Sequence, residues 1–139
     1  MNNQAFIEEL GTRWTDLGQQ FSQSQILSLC CLGSGITLAG TYPGGKILRS
    51  TNYGATWADL GRQFGQVNIL SLCCLGNGIA LAGTYPGGKI LRSTTYGVTW
   101  TDLGQQFGQM NILSLCHLGN GIVLAGTYPD GKILRSHVV

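Results

Sequence analysis

Six carboxylates are available for acid–base chemistry in this chain of 139 residues. Asp16, Asp59 and Asp102 each stand two residues after a tryptophan, at a constant spacing of 43. They therefore read as copies of one scaffold position. Glu8, Glu9 and Asp130 are singular, and a hydrolase built on paired carboxylates would have to draw on those three. A catalytic constellation needs unlike residues converging on one point, which near-identical copies oppose. The expectation is a chain with no catalytic residues. Metal chemistry fares no better. The five cysteines are Cys30, Cys31, Cys73, Cys74 and Cys116, and His117 stands where the other copies have Cys31 and Cys74. Neighbours on a strand point to opposite faces, so an adjacent pair can neither bridge to itself nor chelate one ion. No pair has the two-residue spacing of a zinc site. The cysteines are expected to be small buried hydrophobes, with no metal and no cofactor. Free thiols and the absence of a basic start with a long apolar run point to a cytoplasmic protein. Pro43-Gly44-Gly45-Lys46 lacks the frame of a phosphate loop.

Binding chemistry is better represented. A Thr-Tyr-Pro-x-Gly-Lys connection recurs three times and supplies Tyr42 with Lys46, Tyr85 with Lys89, and Tyr128 with Lys132. A second repeated loop supplies Gln20, Gln63 and Gln106, each followed by Phe, with Arg62 in the middle copy. Aromatic faces beside amide and cationic donors suit sugar rings. A carbohydrate-binding, lectin-like module is the main expectation, with many weak sites acting together. The competing reading has these rings packed between repeats and the polar groups on a solvated rim.

The elements that carry these loops follow from the repeat. Trp14, Trp57 and Trp100 share the 43-residue period, as do Cys30, Cys73 and Cys116, and the register does not slip. The middle copy contains four strand signals: 68–74, 79–85, 89–93 and 99–103. Gly76-Asn77-Gly78 and Pro86-Gly87-Gly88 separate the first three. Each signal is short, apolar or alternating, and bounded by turn residues. No window supports a helix. A unit of this length with four strands has the size of one β-propeller blade. The composition agrees: Gly is 22 of 139 residues and charged residues make up only 10%. The net charge of +2 argues against nucleic acid or a membrane surface as a partner, and no apolar run reaches membrane-spanning length.

The connection between third and fourth strands carries a motif. Ser50, Asn52, Gly54 and Trp57, with their copies Ser93, Thr95, Gly97 and Trp100, resemble the Asp-box, S-x-D-x-G-x-x-W, of the bacterial neuraminidase repeat. Gly11 and Trp14 match the second half of one more box. The resemblance implies a structural hairpin at the blade rim, remote from the ligand face, in a β-propeller. Asn and Thr stand where that family has Asp, and both retain a side-chain oxygen for the turn.

The third copy reaches only its third strand at Ser136, while residues 12–17 match a fourth strand. The expected domain is one half-propeller over 1–139, in which strand 12–17 completes a blade begun by 111–136. Propellers have roughly four to eight blades, so three cannot close. Two chains would give a six-bladed homodimer, favoured over a nine-bladed trimer. Such a ring is either the lectin-like module or a structural, protein-interaction propeller from design or recent duplication. A sialidase-like glycosidase is the least favoured reading.

Overall fold

The computed structural model describes residues 3–138; what was read from Met1, Asn2 and Val139 lies outside them. Every blade begins with its longest strand. In the first repeat, β1 (Gln25–Gly33) leads through a tight turn into β2 (Ile36–Tyr42), then β3 (Lys46–Ser50) and β4 (Ala58–Arg62). The second repeat gives β5 (Asn68–Gly76), β6 (Ile79–Tyr85), β7 (Lys89–Ser93) and β8 (Thr101–Gln105). The third gives β9 (Asn111–Gly119), β10 (Ile122–Tyr128) and β11 (Ile133–Ser136). The strands of each sheet lie in chain order and pair antiparallel, so two sheets have four strands and the third has three. The fold is all-β, of blade-like antiparallel sheets.

Two expectations need correction. Residues Asn3–Glu9 form a short helix, α1, with no buried residue. This segment lies outside the repeat, and only its local preferences act on it. The fourth strand of the middle copy begins at Thr101 rather than at Thr99. Thr99 is occupied instead in the preceding hairpin, where its amide bonds the Thr95 hydroxyl at 2.9 Å.

The blades stack face to face: β5 packs on β1 and β2, and β9 packs on β5 and β6. Leu38, Ile47, Ile69, Leu91 and Ala82 form the buried layer between blades one and two. Close approach depends on a strand glycine. A Cβ at Gly40 would lie 2.6 Å from both the Ile69 side chain and the Ile69 carbonyl, and one at Gly83 would meet Ile112 in the same way. Ile69 and Ile112 are consequently 0% exposed, whereas Ile26, their counterpart on the open flank of blade one, is 44% exposed. Residues 12–17 form no strand and pair with none.

Candidate functional site

The two repeated loops lie side by side, Gln63 and Gln106 donating their backbone amides to the Gly45 and Gly88 carbonyls, and a buried glutamine not singled out in the sequence joins them. Gln66 Oε1 accepts from the Thr84 hydroxyl at 2.9 Å and from the Gly87 amide at 2.7 Å, and its Nε2 donates to the Phe64 carbonyl at 3.3 Å. Gln23 with Thr41, and Gln109 with Thr127, repeat the arrangement. All six side chains are buried. Their signal in the sequence is a Gln and a Thr at the constant period, flanking the two repeated loops. The Thr84 hydroxyl also accepts from the Lys89 amide, which pins the start of β7. The Tyr42–Pro43, Tyr85–Pro86 and Tyr128–Pro129 bonds between these anchors are cis.

Most of the donors expected to face a ligand are engaged in this scaffold. Lys46 Nζ pairs with Asp59 at 2.6 Å and Lys89 Nζ with Asp102 at 2.6 Å. Lys132 forms no such pair among the described residues, because the strand that would carry its carboxylate is not beside β11. The side-chain amides of Gln20, Gln63 and Gln106 each turn back onto two carbonyls of their own loop, such as Leu60 and Gly61 for Gln63. Arg62 donates through Nε to the Gly44 carbonyl at 3.1 Å. Tyr42 and Tyr85 are half-buried and Tyr128 is exposed.

The ion pairs leave an electrostatic mark. Burial raises the Asp59 carboxyl, but the hydrogen bond from Lys46 and the Gly61 amide outweigh it and hold the group below its ordinary value. At Asp102 the Lys89 hydrogen bond dominates over burial, with the same outcome. Asp130 binds Gln109, Glu8 binds Gln4, and Glu9 lies 3.7 Å from Arg13. These carboxylates are therefore dispersed among separate partners.

What stays outside is aromatic. Phe21, Phe64 and Phe107 are exposed, and each occupies a left-handed position with φ of 51°, 50° and 51°. The following residue is also left-handed, as a two-residue type I′ turn demands, and bulky side chains are rare there. Strain of about 1 kcal/mol per residue is thus retained in every repeat at a ring that faces solvent.

The hairpins of the Ser-x-Asn/Thr-x-Gly motif are tied by their own side chains. Ser50 Oγ accepts the amides of Asn52 and Gly54, Asn52 Oδ1 accepts the Thr56 amide at 3.0 Å, and Trp57 Nε1 donates to the Gly54 carbonyl at 3.0 Å. Ser93, Thr95, Gly97 and Trp100 reproduce this, with Thr95 Oγ1 accepting the Thr99 amide. Gly11 and Trp14 show the same closure, the indole donating to the Gly11 carbonyl at 2.9 Å.

The cysteines depart from the expectation of burial. Cys73 is buried, Cys30 and Cys74 are half-buried, and Cys31 and Cys116 are exposed. The difference lies in which flank each blade has covered. Burial, followed by the neighbouring thiols of Cys74, Cys73 and Cys31, pushes the Cys30 thiol up to about 12. His117 meets no set of three metal-ligating side chains among the described residues.

Stacked antiparallel sheets with first strands against first strands define the chain as β-propeller blades. No family model matches it, and no curated protein matches it. Among solved structures it is similar to YCF48 bound to D1 peptide, with TM-score 0.68 and 17% identity over 85% of this chain and 40% of that one. It is likewise similar to YCF48 from Cyanidioschyzon merolae, with TM-score 0.66 and 19% identity over 84% of this chain and 35% of that one. The chain spans well under half the length of either.

Proposed function

We propose that the chain is half of a non-catalytic, six-bladed propeller closed by two copies, and that the ring is a protein-interaction module. The observation that carries the interaction reading is the division of labour in the repeated loops. Lys46, Lys89 and the three glutamine side chains are bound into the scaffold, while strained phenylalanines stay exposed. A lectin needs free donors around its aromatic platform, and a peptide needs apolar anchors at the centre of its interface. One of the similar structures holds a peptide, which favours that ligand class here. The hairpins at Ser50 and Ser93 act in this reading as Asp-boxes, holding the blade rims.

Ring closure is supported by unmatched flanks. Blade three offers Gly126, where a Cβ would meet only Ser114 Oγ of its own sheet, and blade one offers the half-exposed Ile26. In the two internal junctions the same pair of positions is in contact. The chain should therefore run in solution at about twice its 14.8 kDa mass, and Gly126→Ala should return it to a folded single chain.

The interaction reading is tested by titrating the assembled protein against an array of extended peptides and an array of glycans. Peptide binding is expected, weakened at least about tenfold when Phe21, Phe64 and Phe107 are all changed to Asn, since anchor side chains carry most interface energy. Asn accepts the left-handed turn, so that variant should keep its fold. Glycan binding abolished by Tyr85→Ala would instead establish the lectin reading.

A further inference from the structure

Between blades two and three lies an apolar cavity of about 580 Å³, lined by Ile79, Leu81, Ile90 and Leu103, with Arg135 and His117 at its margin. One repeat earlier, the equivalent residues Leu38 and Ile47 belong to a buried cluster against which Ile36, Leu60 and Trp100 pack. Trp100 comes from the hairpin that precedes β8, whose Gly97 lies against Leu38. The cavity is thus an indole seat without its indole. Of the other two tryptophans of the same register, Trp57 is half-buried in the hairpin of its own blade, and Trp14 is 87% exposed.

The segment around Trp14 already has the shape of what is missing. Its indole closes on the Gly11 carbonyl as Trp100 closes on Gly97. The Gly18 amide bonds Asp16 Oδ1 at 2.7 Å, as Gly104 does with Asp102. Gln19 Nε2 reaches the Gln23 carbonyl at 2.9 Å, as Gln105 does with Gln109. Charge agrees as well: Lys46 and Lys89 hold Asp59 and Asp102, leaving Lys132 to match Asp16.

The geometry points to strand exchange: residues 11–19 of a second copy lie against β11, with Trp14 in the cavity and Asp16 paired to Lys132. The register of β7 with β8, Leu91 opposite Asp102 and Arg92 opposite Thr101, places Leu134 opposite Asp16 and Arg135 opposite Thr15 of the other chain. A chain's own segment runs into β1 through residues 20–24. Blades one and two stand between that start and the cavity between blades two and three, so the second copy is the occupant. This inference rests on the two-chain ring and adds to it a particular exchange of strands.

Thr15→Cys combined with Arg135→Cys tests it. Under mild oxidation the double variant should give a covalently linked dimer, with a 15–135 linkage between chains identified by mass spectrometry; neither single variant should give that linkage. Trp14→Ala should weaken dimerisation by at least about tenfold, since a buried indole is a typical interface anchor. Asp16→Lys and Lys132→Asp should each weaken it, and mixing the two variants should restore it, because both junctions of the mixed ring then pair opposite charges. A 15–135 linkage within one chain would overturn the second copy as occupant. A stable dimer with no linkage, and with affinity unmoved by Trp14→Ala, would overturn the exchange while leaving the ring. Single chains at every concentration would overturn both.

Discussion

Lys46 and Lys89 are the partners of two part-exposed aspartates on β4 and β8, and this pairing fixes how the protein should respond to acid. Asp59 and Asp102 have carboxyls held below their ordinary value in the folded chain. A carboxyl so lowered binds fewer protons folded than unfolded. Its contribution is therefore complete above the unfolded value of about 3.9 and disappears as pH falls through the lower folded value. Denaturant titrations from pH 6 to pH 2 should show stability falling below about pH 4, with the fall reduced in Asp59→Asn/Asp102→Asn. At pH 7 the double variant should be less stable by about 1 kcal/mol in total, as expected for part-exposed pairs. An unchanged acid profile would mean that the pairs contribute nothing. At this scale the sequence was least legible. It identifies Lys46, Lys89, Gln63 and Arg62 as donors, but a donor's partner depends on distances across strands and turns that periodicity alone does not specify.

Elements were far more legible, because a repeated unit tests its own pattern at three places. The second and third strands of the middle blade fall where alternation and turn residues put them, and the first runs two residues further, to Gly76. The helix at Asn3–Glu9 escaped because it has no second copy to compare and buries nothing. Less visible was how the connections are held to one another. Gln66 fastens the loop after β4 to the loop after β6 through one oxygen shared by Thr84 and Gly87. Gln66→Ala would leave a buried hydroxyl and a part-buried amide without that acceptor, at a cost of about 2–3 kcal/mol. Gln66→Glu keeps the acceptor but brings a charge to a 5% exposed site, and should destabilise more at pH 8 than at pH 5. Thermal melts at the two pH values check both. Equal stability of Gln66→Ala and the parent chain would show that water replaces the side chain without loss.

A stack of three blades has two unlike flanks, so in the proposed ring the copies would meet head to tail, and the ring closes only when the rotation per blade completes a circle. Flank exposure can be read from a thiol that recurs in each blade. Cys73 is buried because blade three lies over it, and its counterpart Cys116 is exposed because no blade among the described residues lies over it. In a two-chain ring the first blade of the partner takes the place that blade three takes over Cys73, and Cys116 becomes covered. Alkylation with iodoacetamide at pH 8, resolved residue by residue by mass spectrometry, should follow this change. Cys116 is expected to react readily in dilute solution, and at least about tenfold more slowly once concentration exceeds the dimer dissociation constant, in proportion to the remaining single chains. Burial, with the Cys116 thiol beside it, raises the Cys73 thiol despite a bond from the His117 amide, and Cys73 should stay slow throughout. Gly126→Ala, which blocks the flank without touching the thiol, should abolish the concentration dependence and leave Cys116 fast. Protection of Cys116 in that variant, or full reactivity in a parent protein that sizes as a dimer, would mean that the two copies meet somewhere other than at the open blade faces.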